Sequence, residues 1–245
     1  MSEIERELSE GGEVEPSDMF EVLDSNIVIL PEKPLIQIVN PLSLFEGSEL
    51  TSFMKKPLTP SQGINLDLAS GAAVGTFQIE SMKSQKTISI SSVRIEVHDR
   101  SGNRDLESTQ IPETMVALAN VLHIHDVKAI GANWEVMLTL QEGVLAGKKI
   151  AEKLLQQGTS FLPQDMELIG GTARMFLSGS SGVVYTLTIE PRLQNPQTNE
   201  LWMTCNANHP STEALSIELL KEMFRQCYQL LFQVQESLFP ASELR

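Results

Sequence analysis

Four residues near the middle of the chain, His123-Ile124-His125-Asp126, carry the side chains that hold a divalent metal. Imidazole suits zinc or iron, and the carboxylate adds an oxygen ligand. Histidines two positions apart point the same way when the segment is a strand. With a further ligand from His98-Asp99 or His209, the cluster would hold an ion that activates water, the chemistry of a metal-dependent hydrolase. The alternative follows if Leu122 ends a helix. The histidines then lie in a connecting loop, where a helix C-terminus favours an imidazolium.

A second group is basic and aromatic. Glu190-Pro191-Arg192 closes an expected strand, and Arg174 lies on the one before it. They read either as a cross-strand ion pair or as an anion site. With Trp134, the two arginines would line a small-ligand pocket between a sheet and a long helix. Cys205 and His209 have the types of a thiol nucleophile and its base, but such a pair needs hydrogen-bond reach, which four positions along a strand do not provide. Cys205 and Cys227 read as buried thiols, not as a disulfide framework. His98-Asp99-Arg100 reads as a polar strand end, because consecutive strand residues do not face one another. Gly170-Gly171 precedes a strand and lacks the Gly-Lys-Ser/Thr of a phosphate loop, and no GxSxG, HExxH or paired CxxC occurs.

The elements that must position these residues follow from periodicity. Strands are expected at Asn26–Leu30 and from Val74 to Glu80. In Lys86–His98 the alternation changes phase at Ser91-Ser92, which means a bulge or a break between two strands. Pro112 opens a helix with Met115, Leu118, Ala119 and Leu122 at helical spacing. Lys128–Leu140 alternates cleanly, with Trp134, Val136, Leu138 and Leu140 on one face, as a half-buried antiparallel strand does. A helix is expected over Val144–Gln157, capped by Gly158, and a weaker one within Leu42–Met54. Ala173–Leu177, Val183–Pro191 and Leu201–Asn206 read as a meander. A helix from Pro210 to Leu238 carries Ile217, Leu220, Phe224, Cys227, Leu231, Val234 and Leu238 as an apolar stripe wide enough to pack across its own sheet, with a dimer seam as the alternative.

The fold class is therefore α+β: antiparallel strands with helices on one face and a long amphipathic C-terminal helix. Residues 26–245 form one body, with β-plus-helix halves at 74–158 and 170–240. With 41% hydrophobic and 20% charged residues, a sizeable core is expected. The net charge of −14 is uneven: residues 1–24 hold nine acids against Arg6 alone, so −8 belongs to that stretch. Residues 1–25 read as a disordered acidic tail, too polar to offset the entropy of ordering. The charge disfavours nucleic acid and anionic membranes. No leader-like N-terminus and no apolar run of membrane-spanning length is visible, which implies a cytoplasmic protein.

Arg94-Ile95-Glu96-Val97 running into Asp99-Arg100-Ser101-Gly102, Ala129-Ile130-Gly131-Ala132-Asn133-Trp134-Glu135, Ile189-Glu190-Pro191-Arg192 and Asn206-Ala207-Asn208-His209 resemble strings of an uncharacterised bacterial protein family of similar size. The resemblance spans residues 90–240 and implies an α+β fold with no known activity. The element order is also similar to that of SecB-like export chaperones. The sequence thus points first to a non-enzymatic interaction or assembly protein, with a protein partner or a second copy bound. A metal-dependent hydrolase and a small-ligand-binding module are the alternatives.

Overall fold

The computed structural model describes residues 20–35, 50–54, 58–67, 72–105, 108–154, 169–179, 182–210 and 215–245. Nine strands form one antiparallel sheet: β1 Phe20–Pro31, β2 Thr59–Asp67, β3 Ala72–Ser81, β4 Lys86–Ser91, β5 Ile95–Asp99, β6 Val127–Thr139, β7 Ala173–Ser178, β8 Val184–Pro191 and β9 Glu200–His209. The spatial order is β2-β3-β4-β5-β1-β6-β9-β8-β7. The helices are α1 Leu50–Phe53, α2 Ile111–Val121, α3 Ala146–Leu154 and α4 Ile217–Leu238.

The topology repeats. In one arm β1 runs at the centre, a meander returns from the edge through β3, β4 and β5 to pair with β1, and α2 packs on β5 and β1. In the other arm β6 takes the place of β1, the meander β7, β8 and β9 returns to β6, and α4 packs on β9 and β6. The arms meet where β1 and β6 pair antiparallel over most of their length. The two arms divide at residues 122–126, whereas the halves expected from the sequence were 74–158 and 170–240. The Lys128–Leu140 strand belongs to the second arm because its ladder to β9 runs unbroken from Ile130↔His209 to Thr139↔Glu200.

Alternation along the strands sorts the two faces. Ile27 and Ile29 on β1, Val97 on β5, Trp134, Val136 and Leu138 on β6, and Leu201, Met203 and Cys205 on β9 are buried under the helices in one continuous core. On α4 the buried residues are Leu220, Met223, Phe224, Cys227, Tyr228, Leu231 and Gln235, so the helix lies across its own sheet. Trp134 anchors the crossing. Its indole Nε1 donates to the Phe224 carbonyl oxygen at 3.0 Å, and its ring meets Phe224 at 4.5 Å and Tyr228 at 4.9 Å between centroids. Cys227 donates from Sγ to the Ala132 carbonyl at 3.3 Å, tying helix to strand at a second point. Burial holds this thiol well above its ordinary pKa. Both cysteines are free and buried, as their positions on apolar faces require.

Several boundaries differ from the periodicity. The first strand begins at Phe20, not Asn26, so residues 20–25 belong to the sheet and not to the tail expected over 1–25. Phe20 and Val22 are buried, and Phe20 meets Tyr228 edge-on. A register shift between Val22 and Asp24 hides the alternation that would have revealed it. Residues 1–19 lie outside the described residues. The phase change at Ser91-Ser92 is a hairpin: β4 and β5 pair with each other, and Ser91 Oγ caps the turn through the Arg94 N–H. The last helix begins after Ser216, whose hydroxyl accepts from the Leu219 N–H at 3.1 Å, and not at Pro210. Pro210 instead follows the end of β9, which continues through Asn206 to His209. Gly158, residues 155–157 of the helix expected over Val144–Gln157 and residues 42–49 of the one expected within Leu42–Met54 lie outside the described residues.

Candidate functional site

The His123–Asp126 segment connects the two arms. Leu122 closes the cap of α2, so the histidines sit in a loop, and His123 adopts a left-handed backbone with φ of 56°. The Asp126 carbonyl accepts from the Glu32 N–H at 3.1 Å, which fixes the loop against the end of β1. His123, His125 and Asp126 are all exposed, and the three line a cavity of about 340 Å³ with Pro31 to Leu35. Among the described residues no three His, Cys, Asp or Glu side chains converge as a metal-binding group.

The expected ligand pocket is not assembled either. Trp134 is committed to the helix side of the sheet. Arg174 lies exposed on β7 with its guanidinium over the Phe176 ring at 5.5 Å. Arg192 sits in the turn after β8 and pairs with Glu200 at 2.8 Å, an ion pair within one turn in place of a cross-strand pair. Cys205 faces the core while His209 closes the same strand four positions on, so the two do not meet.

What the structure brings together lies on the face of the sheet opposite the helices. Among the described residues no helix packs on it, and its rows carry polar and charged side chains beside Val28, Met137 and Trp202. Register aligns Asn26, Asn133 and Asn206 across β1, β6 and β9, and Asn133 Nδ2 donates to Asn26 Oδ1 at 2.6 Å. His98 on β5 stands opposite Asn26. Its Nδ1 lies 2.9 Å from Asp24 Oδ2 and its Nε2 3.5 Å from Glu96 Oε2. Arg100 Nε reaches the same Asp24 oxygen at 3.6 Å, and Arg94 pairs with Glu96. Burial opposes the His98 charge, but hydrogen bonds and attraction from Asp24 and Glu96 outweigh it and push the imidazole up to about 9. The hydrogen bond from His98, against a smaller opposing effect of burial, holds Glu96 below the ordinary carboxylate range. A cation of this kind donates protons and hydrogen bonds. It does not serve as a base near pH 7.

Beyond this network the face is acidic. Asp24 stands directly opposite Glu135, and the next strands continue that row with Thr204, Thr188 and Arg174. The neighbouring row runs Glu21, Met137, Trp202, Glu190. Among the described residues Glu135 and Glu190 have no ion-pair partner, while Asp24, Glu96 and Glu200 do. Two polar atoms on this face, Asp24 Oδ1 and the Trp202 indole Nε1, are buried without a hydrogen-bond partner. Such orphans carry a desolvation cost until something satisfies them. No local sign of this site exists in the sequence, because its hydrogen bonds from His98 to Asp24 and from Asn133 to Asn26 join residues 74 and 107 positions apart.

No protein-family model matches the chain, and no curated protein matches it significantly.

Proposed function

We propose that this chain is a non-enzymatic interaction protein whose open sheet face receives a partner presenting basic side chains. The observation that carries the reading is the uncovered polar face with its unpaired carboxylates, Glu135 and Glu190, beside a cation that is already neutralised. Glu135 projects from the middle of a sheet whose other face is pinned by α4, so the carboxylates sit on a rigid base. The whole chain adds to the field: its net charge is −14, and residues 1–19 contain seven acids against Arg6 alone. Complementary charge of this sort speeds encounter and selects partners more than it adds raw affinity.

The test is binding of a partner isolated from the native host to the wild-type chain and to a Glu135→Lys/Glu190→Lys double variant. Binding that weakens at least tenfold in the variant, and falls with rising salt in the wild type, is the expected result. Equal affinity for the two proteins would remove the open face from the account.

A further inference from the structure

The two arms differ at their outer edges. In the first arm the outer strand of the meander, β3, is paired on both sides, by β4 and by β2. Its topological counterpart in the second arm, β7, is paired by β8 on one side, and among the described residues nothing pairs with the other. An edge strand offers unpaired N–H and C=O groups to any strand of compatible sequence, and proteins usually guard such edges with charge, proline or irregularity. The edge strand β2 carries Pro60, Gly63 and Asp67. The strand β7, Ala173-Arg174-Met175-Phe176-Leu177-Ser178, has no proline, no glycine and one charge.

Exposed apolar residues gather at this same edge. Phe176 is 69% exposed and Leu177 37%, and Val184, opposite Ser178 on β8, is 43% exposed. Phe176 and Val184 lie on the open face, and Leu177 points to the helix side, so both faces of the edge would gain from being covered.

We infer that β7 pairs antiparallel with β7 of a second copy of this chain, joining two sheets into one. The strand is its own complement when the twofold axis passes through Phe176. Phe176 then faces Phe176 and Arg174 faces Ser178 on the open face, while Met175 faces Leu177 on the helix side. Directly opposite residues in an antiparallel pair share a face, so this register keeps the helices of both copies on one side and continues the polar face across the junction. No like charges meet, and an aromatic pair, one of the stabilising kinds of cross-strand pair, occupies the centre. The contact is isologous, as closed dimers require. With six residues a side it falls at the small end of stable interfaces, below about 1,200 Å², so the dimer is expected to dissociate in the micromolar range.

Sedimentation of the full chain between about 1 and 200 μM tests this. The expected result is a concentration-dependent monomer–dimer equilibrium that Phe176→Lys weakens at least tenfold, because two lysines would then face each other, and that Val93→Lys, at an exposed apolar position elsewhere, leaves unchanged. Phe176→Cys should give a disulfide-linked dimer on mild oxidation, since opposed Cα atoms of such a pair lie about 4.5–5.5 Å apart. Three outcomes would overturn the inference: a monomer throughout the range, a dimer indifferent to Phe176→Lys, or protection from hydrogen exchange, in the monomer, of those β7 amides that are not bonded to β8, which would place a segment of the same chain on the edge. None of these reads the Glu135 and Glu190 carboxylates, so failure here is distinct from failure of the open-face reading.

Discussion

His98 shows how a residue that looks like a strand end acquires a role from its distant neighbours. In the sequence it stands beside Asp99 and Arg100, and neither is its ion-pair partner, although Arg100 shares the Asp24 carboxylate with it. Asp99 turns to Lys86 at 3.5 Å, and the partners of His98 are Asp24 and Glu96. The sign of its pH dependence follows. Its folded pKa of about 9 lies above the ordinary 6.5, so its stabilisation is complete below pH 6.5 and is lost as pH rises through 9. The largest loss this allows is about 3 kcal/mol. Urea unfolding of the wild type between pH 6.5 and 9 should show a decline that His98→Gln flattens; parallel declines in the two proteins would assign it to other groups. Glu96 acts in the opposite sense, its share present above its ordinary range and lost as pH falls through its depressed value. A second residue-scale prediction concerns Gly147. A Cβ there would lie 2.6 Å from Pro196 Cβ and 2.8 Å from its Cα, in the turn before β9. Gly147→Ala, normally helix-favouring, is expected to destabilise by about 1–3 kcal/mol through overpacking, as read by thermal melting. The surface that Gly147 packs on, a proline turn, is not legible from residue spacing along the helix.

Among elements, the clearest in the sequence are those whose period stands unbroken. The alternation of Trp134 to Leu140 and the wide stripe of α4 gave both the elements and their buried faces, and α4 packs on its own sheet as the stripe's width implied. Legibility failed where local chemistry serves two structures equally well. Pro210 lacks an N–H, which suits the end of a strand as much as the start of a helix. The strand was expected to end at Asn206, because asparagine disfavours strands, yet pairing on both sides carries β9 on through Ala207 and Asn208. Pro60 and Gly63 hid β2, tolerated there because it is an edge strand. Two expectations belong at this scale. Ser216→Ala removes the cap of α4 and should cost about 1 kcal/mol in chemical denaturation. Truncation should distinguish residues 1–19 from β1: a chain starting at Phe20 keeps the whole strand, whereas one starting at Leu23 loses Phe20 and Val22 from the core. The second should melt several degrees below the first, and equal melting temperatures would contradict the placement of Phe20 against Tyr228.

For the whole molecule, the fold class was legible and the site was not. One sheet with helices on one face follows from alternation and amphipathicity, which are local. The open face is an outcome of strand order, which places β1 between β5 and β6 and thereby sets Asp24 against both His98 and Glu135. No window of sequence contains that adjacency. The same order puts His123–Asp126 at the junction of the arms, where a connecting loop is needed whatever else the histidines do. Among the described residues no helix is long and apolar enough to cross a membrane. The central claim, that the open face is a binding surface for a basic partner, is tested most directly by tagged capture from the native host with the wild-type chain and the Glu135→Lys/Glu190→Lys variant side by side, metal content being determined on both. The expected result is a stoichiometric protein partner on the wild type that is lost from the variant. A partner retained equally by the variant would contradict it, and so would about one metal ion per chain removed by His123→Ala/His125→Ala together with the protein's activity.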